Sequence, residues 1–206
     1  LFVLPVAIGL VCGLLGVSVS LSAVNIIYFV INFLCVVGIF HKFLWASVKV
    51  AGANIWRCLR FAFIGFVLYY AGMLLVSQGI LLIDPEFANV NDASIGDMAR
   101  ENFPLMAFAT VWLVPVAEEI FHRGLVFQPL QRKSRVLAYC VSSLVFAAIH
   151  VIGYIGLYDW KTLCLCLVQY LPAGIALAWA YEKADTIAAP ILMHITINQI
   201  GMLAMR

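Results

Sequence analysis

The stretch PLMAFATVWLVPVAEEIFHRGLVF, residues 104–127, decides the fold class. It is apolar over more than the roughly 20 residues a helix needs to cross hydrocarbon. Yet Glu118, Glu119 and Arg123 sit inside it. An ionisable group at that depth is costly, so it pairs, faces the interior of a bundle and marks a working site. Pro115 precedes the acids by one turn, where it can kink a spanning helix and free backbone carbonyls. Glu119 and Arg123 are four apart and share a helix face, whereas Glu118 is turned away by about 100°. The spacing predicts a buried Glu119–Arg123 ion pair and a Glu118 carboxylate left for chemistry. Phe121, Leu125, Val126 and Phe127 carry the apolar pattern past the acids, which argues against a solvated helix end.

Outward from this stretch, similar apolar segments run over about 1–21, 23–40, 61–83, 136–157, 162–181 and 186–205. The 206 residues are 65% hydrophobic and 11% charged, against about half and a quarter in a soluble domain. The reading is all-α: a polytopic transmembrane helical bundle of about seven spans, with a cavity between the C-terminal helices. Short alternating segments, the mark of a membrane β-barrel, are absent. The chain reads as one membrane domain over 1–206, with N-terminal spans and loops in 1–103 and a polar core in 104–206. The break between the first two spans rests on Ser18, Ser20, Ser22 and Asn25. The first run lacks a basic leader and a small-residue cleavage signal, so it reads as a retained span.

Residues 41–60 carry Lys42, Lys49, Arg57 and Arg60 with Trp45 and Trp56 and no acid, which suggests an amphipathic helix at the headgroups. Residues 84–103 hold five acids and Arg100, and 131–135 are basic again. The positive-inside rule then places 41–60, 131–135 and the N-terminus in the cytoplasm, and the 84–103 loop outside. The expected partner of these segments is the lipid bilayer. With a net charge of +2 and no basic stripe, nucleic acid is excluded. The six cysteines contain no Cys-x-x-Cys pair and read as small hydrophobes.

Two further polar pairs lie in spans. His150 follows Phe146 by four residues, and Asn198 follows His194 by four, each pair on one helix face. Phe146 is placed to wall a pocket. A Glu118–His150 couple could hold a water and take its proton as it attacks a carbonyl carbon. His194 and Asn198 would then stabilise the oxyanion. No cofactor is required. The alternative is a zinc site made by Glu118, His150 and His194, although no His-Glu-x-x-His helix is present. A non-catalytic scaffold that binds a membrane protein partner is a second alternative. Thr196, Gln199 and Gln169 read as interhelical glue, and His122 as structural.

Glu-Glu-x-x-x-Arg, then Phe-x-x-x-His, then His-x-x-x-Asn, in this order on successive spans, resembles the CAAX-protease and bacteriocin-processing (CPBP, or ABI) family of intramembrane endopeptidases, which includes the type II CAAX prenyl endopeptidases. The resemblance covers about 118–198. It implies Glu118 as the carboxylate that activates water, His150 as its partner, and His194 with Asn198 as the oxyanion hole. Glu119 and Arg123 would support the site. It also implies an integral, multi-pass protein acting on a peptide or protein substrate, prenylated CAAX or bacteriocin-like, or a regulator of signalling or self-immunity that binds a membrane protein partner; the short chain points to a bacterial plasma membrane.

Overall fold

The computed structural model describes residues 3–206 and is helical throughout. Eight helices follow in chain order: α1 (Val3–Leu14), α2 (Leu21–Ala53), α3 (Ile55–Ile83), α4 (Val90–Glu101), α5 (Phe103–Gln131), α6 (Arg135–Tyr154), α7 (Trp160–Ala184) and α8 (Ala188–Ala204). The helices α2, α3, α5, α6 and α7 are long and apolar enough to cross a membrane, while α1 and α8 are apolar but shorter. The chain is an integral membrane protein.

Half of the most apolar window of α7 and 44% of that of α5 are buried, against 6% for α2 and α3. Thus α5 and α7 form the centre, and α2 and α3 face lipid along most of their length. Close approach at the centre depends on small residues, as in membrane packing generally. A Cβ on Gly174 of α7 would meet the Ser143 Cα of α6 at 2.8 Å. One on Gly65 of α3 would meet Met193 and Ala180 at 3.0 and 3.1 Å.

Three segments differ from the sequence expectation. The first span was expected over 1–21; residues 1 and 2 lie outside the described residues, and the helix stops at Leu14. Gly16 takes a left-handed φ of 66°, a conformation open to glycine at little cost. Ser20 then caps α2 by accepting from the Ala23 N–H. Residues 41–60 are helical in two pieces: a kink at Phe40, whose φ of −101° and ψ of 17° leave the helical range, sets 41–53 off from the apolar part of α2, and α3 restarts at Ile55. The long basic side chains of this piece can reach water from a helix end without leaving it. The acidic loop contains α4, capped by Asn89, whose side chain accepts from the Asn91 and Asp92 N–H groups.

The helices alternate in direction, so the charges separate by end. Lys42, Lys49, Arg57, Arg60, Arg132, Lys133, Arg135 and Lys183, eight of the 12 basic residues, gather where α2 meets α3, α5 meets α6 and α7 meets α8. There Arg135 pairs with Glu182 at 2.8 Å and Arg57 donates to the Lys183 carbonyl. The opposite end carries α4, Asp84, Asp159 and six of the ten acids.

Candidate active site

The central rod α5 is not a uniform α-helix. It widens into π-helical turns at Ala109–Leu113 and Ile120–Phe127, on either side of an α-helical segment, Val114–Glu119. Such turns are rare, re-aim the side chains that follow, and gather at functional sites. Pro115 explains part of this one. In the wide turn the Val114 N–H donates to the Ala109 carbonyl, five residues back. The next donor in that pattern is residue 115, which as proline has no N–H, so the Thr110 carbonyl loses its backbone partner. Asn198 of α8 replaces it, its Nδ2 donating to Thr110 O at 2.9 Å. The last helix is thereby tied to the irregular turn just above the acids.

Glu119 is fully buried and both its oxygens are used. Oε2 accepts from Arg123 Nε at 2.8 Å, and Oε1 accepts from His194 Nδ1 at 2.9 Å. Arg123, also fully buried, donates through Nη1 to Ser142 of α6 at 2.8 Å. The ion pair expected from the four-residue spacing is present, and it extends to a helix the spacing could not reveal. Glu119 holds α5 to α8 and Arg123 holds α5 to α6.

Glu118 is arranged differently. Its Oε2 is buried and without a hydrogen-bond partner. It faces His150 Nε2 at 4.0 Å and His194 Nε2 at 3.9 Å. The far nitrogen of each ring is already committed. His150 Nδ1 lies 2.8 Å from the Phe146 carbonyl and His194 Nδ1 lies 2.9 Å from Glu119. Both of those partners only accept, so each Nδ1 carries the proton. Each Nε2 is left facing Glu118. Phe146 packs between them, its ring centroid 4.7 Å from that of His150 and 5.9 Å from that of His194.

Glu118, His150, His194 and Asn198 line one cavity of about 510 Å³. Asn91 and Asp92 of α4, with Tyr170 of α7, close its upper part. Phe146 is 2% exposed and packs against both imidazole rings rather than lining the void. A second, largely apolar chamber of about 270 Å³ between α2 and α5 reaches Glu118 from the other side, past Tyr28 and His122. His122 is buried and donates through Nδ1 to the Glu118 carbonyl, consistent with a structural part.

Tyr170, Asp92 and Asn91 were not singled out from the sequence. Tyr170 stacks on His150, with ring centroids 4.3 Å apart, and donates to Asp92 Oδ1 at 2.9 Å. Asn91 Nδ2 donates to the same phenol oxygen at 3.0 Å. The available signal was weak: Asn89-Val90-Asn91-Asp92 reads as an acidic loop until its capping role is noticed. Gln169 does join helices, accepting from Asn89 at 2.6 Å. Thr196 does not: its hydroxyl donates back to the Leu192 carbonyl of its own helix, a bond open to any threonine on a helix.

Residues 100–200 match the family model of Rce1-like type II CAAX prenyl endopeptidases. A curated relative, "Putative membrane peptidase YdiL" of Bacillus subtilis (strain 168), is 30% identical over 96 residues, which is 46% of this chain and 35% of that protein. The chain thus spans about a third of the length of that relative. No solved structure matches it. All three polar motifs fall inside the matched residues, each sends at least one side chain to the same cavity, and over this half of its length the chain is similar to the Rce1-like prenyl endopeptidases of the CAAX-protease family.

Proposed function

We propose that this protein is an intramembrane endopeptidase that hydrolyses a peptide bond with water activated by Glu118. The observation that carries the reading is the unpartnered, buried Glu118 Oε2, set between two imidazole nitrogens on the floor of a cavity roomy enough for an extended peptide. A water at about 2.8 Å from Glu118 Oε2 and His150 Nε2 would see them at roughly 90°, an ordinary hydrogen-bonding angle. Glu118 takes the proton as the water oxygen bonds to the carbonyl carbon, and returns it to the leaving nitrogen as the C–N bond breaks. The products are a carboxylic acid and an amine.

His194 and Asn198 serve the oxyanion. To donate, His194 Nε2 needs a second proton, and the Glu119 carboxylate at 2.9 Å from Nδ1 supplies the counter-charge. Asn198 keeps one amide hydrogen after its bond to Thr110. Prenylated CAAX proteins and bacteriocin-like peptides are the substrate classes that the family resemblance suggests.

A zinc-dependent version has one observation in its favour. Both Nε2 lone pairs and a carboxylate face one point, the donor set of a His₂Glu site with an orienting partner on each ring. At about 2.1 Å from zinc, however, groups 4.0 Å apart would subtend roughly 145°, well above the tetrahedral angle. Metal-free hydrolysis therefore fits better.

The deciding experiment compares membrane peptides from cells carrying the unaltered protein or Glu118→Gln. A new peptide terminus is expected only with the unaltered protein. Cleavage by purified protein is expected to survive a chelator; loss restored by zinc would favour the metal. If Glu118→Gln and His150→Ala leave both the peptide pattern and the cellular phenotype unchanged, the protein acts as a scaffold.

A further inference from the structure

The void has Glu118 and His194 at its floor. From there its lining climbs through His150 and Tyr170 to Asn91, Asp92 and Ser94 of α4 and to Gly153 and Tyr154 at the end of α6. All of these upper residues belong to the acidic end of the bundle, opposite the end with eight of the 12 basic residues. Basic ends stay in the cytoplasm. Exposed tryptophans flank both ends, with Trp45 and Trp56 at the basic end and Trp160 at the acidic end, as expected where helices cross headgroups.

Asp92 is the charged side chain at the top of this void. Its Oδ1 accepts from Tyr170, and the side chain is open to the cavity while crowded by α7 and α6. Tyr170 also stacks on His150, which keeps the carboxylate within about 10 Å of that ring, the reach of roughly three extended residues. Apart from His150 and His194, the cavity lining contains no basic residue to neutralise it. A carboxylate that lines a cleft without a competing lysine or arginine attracts a cationic side chain.

We infer that the cavity opens on the non-cytoplasmic face and that Asp92 selects substrates carrying a cationic residue, lysine or arginine, about three positions from the bond to be cut. This rests on the peptidase reading for the word substrate, but its test does not depend on cleavage. Selection is read as binding to the Glu118→Gln protein in detergent, using two fluorescent nonapeptides that differ only by Lys or Glu at one flanking position. The Lys peptide is expected to bind about tenfold tighter. Asp92→Asn should remove the difference, and Asp92→Lys should reverse it. Equal binding of the two peptides, or a preference that Asp92→Lys does not reverse, overturns the selectivity.

Access is read separately in whole cells. Ser94→Cys is placed in a chain whose six native cysteines are replaced by serine or alanine, and a second chain carries Lys133→Cys. A membrane-impermeant maleimide should label Ser94→Cys in intact cells and Lys133→Cys only after permeabilisation; the opposite pattern overturns the outward opening. If the peptides bind selectively and the Ser94 position is labelled from outside while unaltered protein cleaves neither peptide, the hydrolase reading fails and this inference stands.

Discussion

The two adjacent glutamates have separable duties, and Glu119 allows them to be separated. It is shared by Arg123 and His194 in a site with no water-facing surface. Glu119→Leu strands a buried guanidinium, and removing one partner of such a pair costs about 3–5 kcal/mol. Thermal unfolding in detergent should show that loss. Adding Arg123→Met should recover most of the stability, because an apolar pair of similar volume avoids the desolvation penalty. Activity should not return, since His194 Nδ1 would still lack the acceptor that aims its ring. Recovery of both together would mean that Glu119 only stabilises. Asp92 gives a second test at this scale. Burial pushes its carboxyl above the usual aspartate range, against the opposing pull of the Tyr170 hydrogen bond and of His150. Tyr69 of α3 and Tyr154 of α6 also face it. A raised carboxyl takes up its proton earlier as the pH falls. The preference for cationic peptides, full at neutral pH, should therefore fade on acidification before an ordinary aspartate titrates. Binding of the Lys and Glu peptides across a pH series reads this directly.

At the scale of the element, Pro115 is responsible for more than a bend. By leaving the Thr110 carbonyl without a backbone donor, it creates the acceptor that Asn198 uses. Asn198→Leu should cost about 1–3 kcal/mol, the penalty of an unpaired buried carbonyl. In a Pro115→Ala background the restored N–H can take that bond, and the cost of Asn198→Leu should shrink toward zero in a double-mutant cycle. The same Pro115→Ala change should lower peptide hydrolysis without lowering the melting temperature, because a Thr110 carbonyl satisfied within α5 no longer holds Asn198 in place beside the cavity. Additive effects of the two substitutions would break this link. The example also shows what the sequence could reveal. Helical spacing made Glu119–Arg123 legible, and the length of apolar runs made the long spans legible, because both follow from local periodicity. The bonds from Glu119 to His194 and from Asn198 to Thr110 span 75 and 88 residues of chain. No local rule pairs residues so far apart. The widened turns were hidden because their hydrogen-bond register leaves no pattern in residue type beyond the proline itself. For α4 the composition misled: its acids and asparagines look like loop until Asn89 is seen as a cap.

At the scale of the whole molecule, the family match covers only residues 100–200, yet the structure does not close at that boundary. α3 lies along α7 and α8, and its fit depends on absent side chains: a Cβ on Gly72 would touch Pro172 at 3.2 Å, and one on Gly65 would touch Met193 and Ala180. α2 supplies Asn25, Tyr28 and Phe29 to the wall of the large cavity, and the Ser47 carbonyl accepts from the Thr186 hydroxyl at the start of α8. Removing α1–α3 would expose these small-residue faces and open the cavity sideways to lipid, where no water competes for its polar groups. Residues 84–206 made alone should therefore insert but neither cleave peptide nor show a cooperative melting transition. Made together with residues 1–83 as a second chain, they should regain both, because the two pieces meet along packed helix faces and are joined covalently only through the short segment between α3 and α4. Gly65→Leu in the smaller piece should prevent the rescue, its side chain colliding with Met193 and Ala180. Full activity of the larger piece by itself would show that the first three helices are dispensable, and that the catalytic cavity is complete within the matched region.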